Sequence, residues 1–570
     1  MTTHYTDEKN ALIVISLLKQ HEIKKVIISP GATNISFAAS IQQDDYFEVY
    51  SCVDERSAAY MACGLASESG ETVVLSCTGA TSSRNYMPAL TEAYYSKLPI
   101  IAITSSQVVN KVGHNIAQVT DRSAPPSDTV RFNTTLPVVH NDDDIWDCEI
   151  KVNNAILETK RNGGGPVHIN LQTKFPSNYN VIELPKFRKI DRITPFDKFP
   201  NLPDGSVVIF IGRHRSMSDK LTIAIDKFCA SNNAIVIKDH TSGYKGKFAV
   251  QLSILASQQV ESKVFNPDTL ISIGEISGDY PTLGHMKPKD VWRVNPDGQI
   301  RDSFKKLAYI FEMEEEYFFN QYNTSTRKSS SFYEECANAL SSVRSKIPDI
   351  PFSNIWIASK LAALIPENST IHFAILNSLR AWNMFELPLS VRSSSNTGGF
   401  GIDGCTSTLI GASLAFNNRL YFLVTGDLAF FYDLNVIGNR HTPNRIRILL
   451  VNNGKGVEFR NHGHIATKFG DDTDLYIAAA GHYGNKSPEL VKNFAQNLGY
   501  EYITATNKDE FNAVYERFIT PEITDKPIIF EVFTTTEEES EALRVISSIE
   551  KRPLSLIGHT KKIVKNILKL

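Results

Sequence analysis

Residues 420–456 read LYFLVTGDLAFFYDLNVIGNRHTPNRIRILLVNNGKG. An apolar run, Leu420–Val424, leads into a Gly-Asp turn and a helical pattern. A second apolar run, Ile446–Val451, then leads into an Asn-Asn-Gly turn. Short β-branched and aromatic runs separated by a helix-length segment are the pattern of a strand–helix–strand unit, and so of parallel sheet. Asp427 stands just past the first strand and Asn453 just past the second, 26 positions on (453 minus 427). Neighbouring strands lie about 4.8 Å apart, so the ends of adjacent strands bring two side chains within reach of one ion. Ligands of open α/β sheets bind outside the carboxyl ends of the strands. Asp427, Asn453 and the backbone carbonyl of Lys455 are hard oxygen ligands that suit Mg²⁺ or Ca²⁺. Magnesium commonly completes its shell with phosphate oxygens, which implies a diphosphate. A Gly-Asp turn alone reads equally as a helix cap; the pairing of two strand ends favours the metal.

The same rhythm extends outward over most of the 570 residues. A first stretch, 1–185, carries strand candidates Lys25–Ser29, Phe47–Val53, Thr72–Ser76, Ile100–Thr104 and Pro166–Leu171, with a helix at Ser57–Ser67. The stretch Leu184–Asp204 is rich in Pro, Lys and Asp and reads as a linker. A second stretch, 205–345, offers strands at Val207–Ile211, Ala234–Ile237, Thr269–Ile273 and Asp290–Val294. Gly212 and Gly274 make Rossmann-like turns there, but a full GxGxxG is absent. A third, 350–540, adds Thr370–Ala374 and Ile528–Val532 to the opening unit. The fold class is therefore α/β, with three doubly wound parallel-sheet domains and a C-terminal tail, 541–570. Within that tail Lys561–Leu570 has amphipathic spacing, which fits packing on the protein's own surface or a membrane-surface contact.

Composition narrows the partners. A formal net charge of −3 offers no basic field for nucleic acid. Seven cysteines, an odd number with no CxxC pair, argue for reduced thiols in a cytoplasmic protein. The run Ala11–Leu18 is too short to span a bilayer, so no transmembrane segment is expected.

Gly426-Asp427 with Asn452-Asn453 resembles the signature of thiamine-diphosphate-dependent enzymes that act on 2-oxo acids. Leu428 replaces that signature's usual third glycine. GDLAFFYDLN, 426–435, is similar to the motif of one branch, the menaquinone-pathway synthase of succinyl-enolpyruvyl-hydroxycyclohexene-carboxylate. The resemblance runs from Ser29–Gly31 to Asn453. It implies pyrimidine-binding, central and diphosphate-binding domains, thiamine diphosphate and Mg²⁺ as cofactors, and a homodimer or homotetramer with a shared site. It implies that Asp427, Asn453 and the carbonyl of Lys455 hold the metal. Asn377 and Ser378, beside Gly426 and Leu428, would meet the cofactor's diphosphate side, and Ile402 in the GIDG run would wedge under it. Thr78 and Asn85 would lie at the pyrimidine, and Gln118 would meet the reacting group. Glu55, in VDERSAAYMACGLA, would be the catalytic acid that activates the aminopyrimidine. Such an acid is expected to be buried, with its pKa raised; Asp54 and Glu55 also suit a helix N-terminus.

The implied reaction is decarboxylation of a 2-oxo acid with transfer of the acyl-anion fragment to an acceptor and formation of a C–C bond. The branch's arginines, which pair with substrate carboxylates, are not kept: Ala32, Thr33 and Asn34 follow the SPG turn, and Gln107, Trp382 and Thr397 stand at or near the other positions. That change argues for a less anionic acceptor. The alternatives are the menaquinone-pathway reaction itself, on 2-oxoglutarate and isochorismate, with Arg84, Arg380 or Arg392 supplying charge; simple decarboxylation; and a non-catalytic, cofactor-bound assembly protein.

Overall fold

The computed structural model describes residues 4–550, apart from 176–177, 215–216 and 324–329. The segment Lys561–Leu570 lies outside the described residues. The chain forms two compact units, 1–198 with 298–312 and 199–297 with 313–570.

In the first unit, strands β1 (Lys25–Ile28), β2 (Glu48–Ser51), β3 (Val73–Thr78), β4 (Ile100–Ser106), β5 (Phe132–Leu136) and β6 (Val167–Gln172) form a parallel sheet. Its order is β2-β1-β3-β4-β6-β5. Alternate residues feed two cores. Val26, Val74, Ile101 and Ile169 face one, and Ile27, Leu75, Ile100 and Ala102 face the other. The sheet is thus covered on both faces, which is why β4 is buried along its whole length and apolar over Ile100–Ile103. The helix Glu55–Ser69 begins where Asp54 accepts a hydrogen bond from the Ser57 amide (2.7 Å).

The stretch 184–204 contains strand β7 (Asp191–Ile193). Ile190 is fully buried, and its amide donates to Asn153 Oδ1 (2.8 Å). In the second unit β8 (Val207–Ile211), β9 (Ile235–Lys238), β10 (Ala249–Val250), β11 (Thr269–Ile273) and β12 (Asp290–Val294) pair in parallel, in the order β10-β9-β8-β11-β12. Strand β13 (Leu307–Phe311) returns to the first unit and pairs with β7. Arg188 binds Asp302 (2.7 Å) and Arg161 binds Glu312 (3.1 Å), which ties 298–312 to that unit.

The remaining strands of the second unit are β14 (Thr370–Phe373), β15 (Arg392–Ser395), β16 (Tyr421–Gly426), β17 (Ile446–Asn452), β18 (Glu501–Ala505) and β19 (Ile528–Phe533). They run β15-β14-β16-β17-β19-β18, the same path as the first sheet. In both, the winding direction reverses between the first and third strands, and such switch points open a ligand crevice at the strands' carboxyl ends. Among the described residues, no helix is long and apolar enough to cross a membrane.

Six strands were not anticipated from the sequence: β5, β7, β10, β13, β15 and β18. All except β13 lie at a sheet edge. Edges carry polar and half-exposed residues, as in β7 (Asp-Arg-Ile) and β15 (Arg-Ser-Ser-Ser), so the apolar signal is weak there.

Candidate active site

In the second unit the switch point between β14 and β16 collects the residues on which the metal reading rests. Strands β16 and β17 are neighbours, with Gly426 opposite Val451, so Asp427 and Asn453 emerge side by side at their ends. Asp427 is only 4% exposed. Burial pushes its carboxyl up to about 6, partly offset by the backbone amides of Leu428, Gly454 and Asn453. The Leu428 amide donates to Asp427 Oδ1 (2.8 Å).

Asn452 and Asn453 divide the work of the turn. Asn452 donates to Glu531 Oε1 (2.7 Å) and accepts from the Gly454 amide (3.2 Å). Gly454 has φ +76°, a conformation that favours glycine. Asn453 has no such engagement: its Oδ1 is buried without a partner. The carbonyl of Lys455 accepts from the Val457 amide (2.9 Å) and keeps a second lone pair. A buried carboxylate, an orphaned amide oxygen and a turn carbonyl are the donor set of a Mg²⁺ site, so these residues fit the implied ion.

The other predicted residues of this unit lie around the same strand ends. Gly426 precedes the helix Asp427–Tyr432, and Leu428 is half-buried within it. Ile402 packs on a core cluster that includes Ala374, Leu409 and Phe430. Asn377 and Ser378 open the helix Asn377–Trp382. With its amide turned so that both ends are satisfied, Asn377 donates to Glu458 Oε2 (2.8 Å) and accepts from the Glu458 backbone N–H (3.2 Å). Leu376, just before it, is held at φ +69°, ψ −123°, a region that a branched side chain adopts only under strain.

In the first unit Asn85 Nδ2 donates to Glu55 Oε2 (3.1 Å). Asp54, not Glu55, caps the helix, which frees Glu55 for other partners. Glu55 is half-buried, and its carboxyl differs from the expected raised acid. Burial pushes it up, but hydrogen bonds from Ser82 and Asn85 outweigh that and hold it below the usual value. Thr78 ends β3, and its hydroxyl meets that of Thr33. A side chain on Gly31 would come within 2.6 Å of the Thr78 Cβ, so the SPG turn needs glycine for this approach. Gln118 is exposed, at φ +64°. Ser82 was missed as a site residue from the sequence, and Thr33 was read there only as standing where an arginine is lost. Ser82 lies in the turn CTGATSSRN that supplied Thr78 and Asn85.

The arginine question has a structural answer at several positions. Gln107 accepts from Lys111 (2.6 Å), Trp382 is wholly buried and Thr397 is fully buried. Arg84 donates to the Asp121 carbonyl (2.9 Å). Arg380 is ion-paired with Glu458 and lies over the Tyr280 ring. Arg392 lies over the ring of Phe416.

Residues 9–124 match the family model described as thiamine pyrophosphate enzyme, N-terminal TPP binding domain. Similar proteins include 2-succinyl-5-enolpyruvyl-6-hydroxy-3-cyclohexene-1-carboxylate synthases from several bacteria. That of Phocaeicola vulgatus is 29% identical, with 95% of this chain and 98% of the relative covered. That of Bacteroides fragilis is 28% identical over the same shares. That of Flavobacterium psychrophilum is 27% identical, covering 92% of this chain and 96% of the relative.

Proposed function

We propose that this chain, which belongs to the thiamine-diphosphate-dependent enzyme superfamily, decarboxylates a 2-oxo acid and transfers the acyl-anion fragment to an acceptor, forming a C–C bond. The observation that carries the reading is the buried pair at adjacent strand ends, Asp427 and the partnerless Oδ1 of Asn453. With the Lys455 carbonyl they would hold Mg²⁺, and Asn377, Ser378, Gly426 and Leu428 lie where the diphosphate would sit. Thiamine diphosphate, when bound, supplies the electron sink that lets CO₂ depart. Glu55 would hold a proton at the pyrimidine, with Asn85 and Ser82 orienting its carboxyl, Thr78 at the carboxyl end of the same sheet, Gln118 toward the substrate and Ile402 shaping the cofactor's seat. A homodimer or homotetramer, acting in the cytoplasm, would bring a second subunit over Glu55. Covering that carboxyl removes it from water and raises its pKa toward the value catalysis needs.

The relatives' name supports a second reading, their own synthase reaction. Against it stand Gln107, Trp382 and Thr397, and the neutralisation of Arg380 by Glu458. A panel of 2-oxo acids with Mg²⁺ and thiamine diphosphate, scored by CO₂ release with and without carbonyl acceptors, tests the proposal. Acceptor-dependent turnover is expected, reduced about 10²–10⁴-fold in Glu55→Gln with cofactor binding kept. Turnover unchanged in Glu55→Gln would overturn it. Rapid turnover of isochorismate with 2-oxoglutarate would establish the second reading.

A further inference from the structure

The first unit buries an arginine without an acid. Arg122 follows Gln118 by four positions and is 6% exposed. Its guanidinium reaches the turn between Thr78 and Asn85: a Cβ on Gly79 would stand 2.7 Å from Nη1, so glycine there leaves it room. Nη1 donates to Thr104 Oγ1 (3.1 Å) and Nη2 to Asn170 Oδ1. Both acceptors are neutral, and so is the group behind them. Asn133 donates to the Ser123 carbonyl (2.7 Å), which leaves its Oδ1 to accept from His168 Nδ1 (2.6 Å). His168 Nε2 therefore accepts from the Thr104 hydroxyl (2.6 Å). Burial, with Arg122 beside it, holds His168 down to about 3, so the ring stays uncharged.

Among the described residues no counter-charge meets this guanidinium. Burial lowers it only to about 10, so it is charged near neutrality. The Cys77 thiol nearby is pushed up to about 12 by burial and keeps its proton. Asp121, next in the chain, gives its carboxylate to the amide and hydroxyl of Ser123 (2.9 and 2.6 Å). Arg84, a second cation, donates to the Asp121 carbonyl (2.9 Å). A buried charge left uncompensated is strongly unfavourable.

The remaining donor, Arg122 Nε, is buried without a protein partner, and Arg122 lines a cavity of about 10 Å³. Arg84 lines the same space, and Met87, Leu90, Ala102 and Pro125 give it apolar walls. It admits one water-sized group. A water there satisfies Nε and leaves the charge unmet. Phosphate, sulfate and organic acids exceed the space. An anion the size of a halide answers both the donor and the charge.

We propose that this cavity binds one small monovalent anion of halide size, such as chloride, as the counter-charge of Arg122. The ion fastens the segment from Gln118 to Pro125 onto β4 and β6, where Thr104 and Asn170 hold the same guanidinium. Because the ion is independent of the carboligase reading, the full chain without cofactor or substrate serves for the test. Crystals soaked in sodium bromide and measured by anomalous scattering should show bromide within hydrogen-bonding distance of Arg122 Nε. In solution, chloride NMR line broadening should saturate with protein and be displaced by bromide. Arg122→Gln, shown to be folded by its thermal melt, should bind chloride at least about tenfold more weakly. Water at Nε in the bromide-soaked crystal, or equal chloride broadening in the folded variant, would overturn the assignment. The crystal measurement needs no variant. Displacement of chloride by equimolar pyruvate, unmatched by acetate, would give Arg122 to a 2-oxo acid and overturn it as well.

Discussion

Asn452 and Asn453 are adjacent and chemically identical, yet their surroundings give them opposite tasks. Asn452 spends both ends of its amide on the turn, through Glu531 and Gly454. Asn453 keeps a buried oxygen in reserve. Truncation should separate the two roles. Asn453→Ala is expected to lower thiamine diphosphate affinity in the presence of Mg²⁺ by at least about tenfold, one hard ligand's worth. Asn452→Ala should instead lower Tm, because it strips partners from buried groups. Calorimetric titration with Mg²⁺ and then with a chelator, alongside thermal melts, checks both. Wild-type affinity in Asn453→Ala would remove that residue from the metal site.

At the scale of elements, the carboxyl ends of the strands are joined by short polar clasps, and Glu539 is one of them. It links the helix Thr536–Ile546 to Thr534 after β19 and to the start of the helix Asn354–Leu361. Burial raises its carboxyl from 4.5 to about 7. Between those values the folded chain holds a proton that the unfolded chain releases. This group's contribution to stability is therefore greatest below about 4.5 and is lost as pH rises through 7. The loss is on the order of 3 kcal/mol. Glu539→Gln has no such titration, so its Tm relative to wild type should be higher at pH 8 than at pH 5. An equal gap at both pH values would show that the carboxyl does not titrate in this window. Strain is also stored among these elements. Leu376 and Ala80 both occupy left-handed backbone at the turn that leads from a strand into a helix, beside Asn377 and Thr81.

For the molecule as a whole, the exposed apolar surface around Glu55 is the feature that one chain leaves open. Edge strand β2 is exposed throughout. Val53 is 78% exposed, and Tyr60 and Met61 on the following helix are each 47% exposed. Patches of this kind on an unpaired sheet edge mark association surfaces. Light scattering should find the wild-type protein as a dimer or tetramer. Val53→Asp should shift it toward monomer and reduce CO₂ release at least about tenfold, since burying an unpaired charge in an interface costs several kcal/mol. A wild-type monomer with full activity would end the shared-site reading.

The apolar runs and the residues that close them were enough to read three parallel α/β sheets and the two strand ends bearing Asp427 and Asn453; the turn carrying Thr78 and Asn85 came from the resemblance to the family. These signals are local: a strand covered on both faces must be apolar, and a switch-point turn must present its polar residues at fixed positions in the chain. Tertiary structure alone decided the edge strands, the return of 298–312 to the first unit, the engagement of Glu55 by Asn85 and Ser82, and the Arg380–Glu458 pair. Each of these depends on partners far away in sequence. Whether an arginine is free to meet a substrate is set by which acid the fold brings beside it, and no spacing along the chain records that.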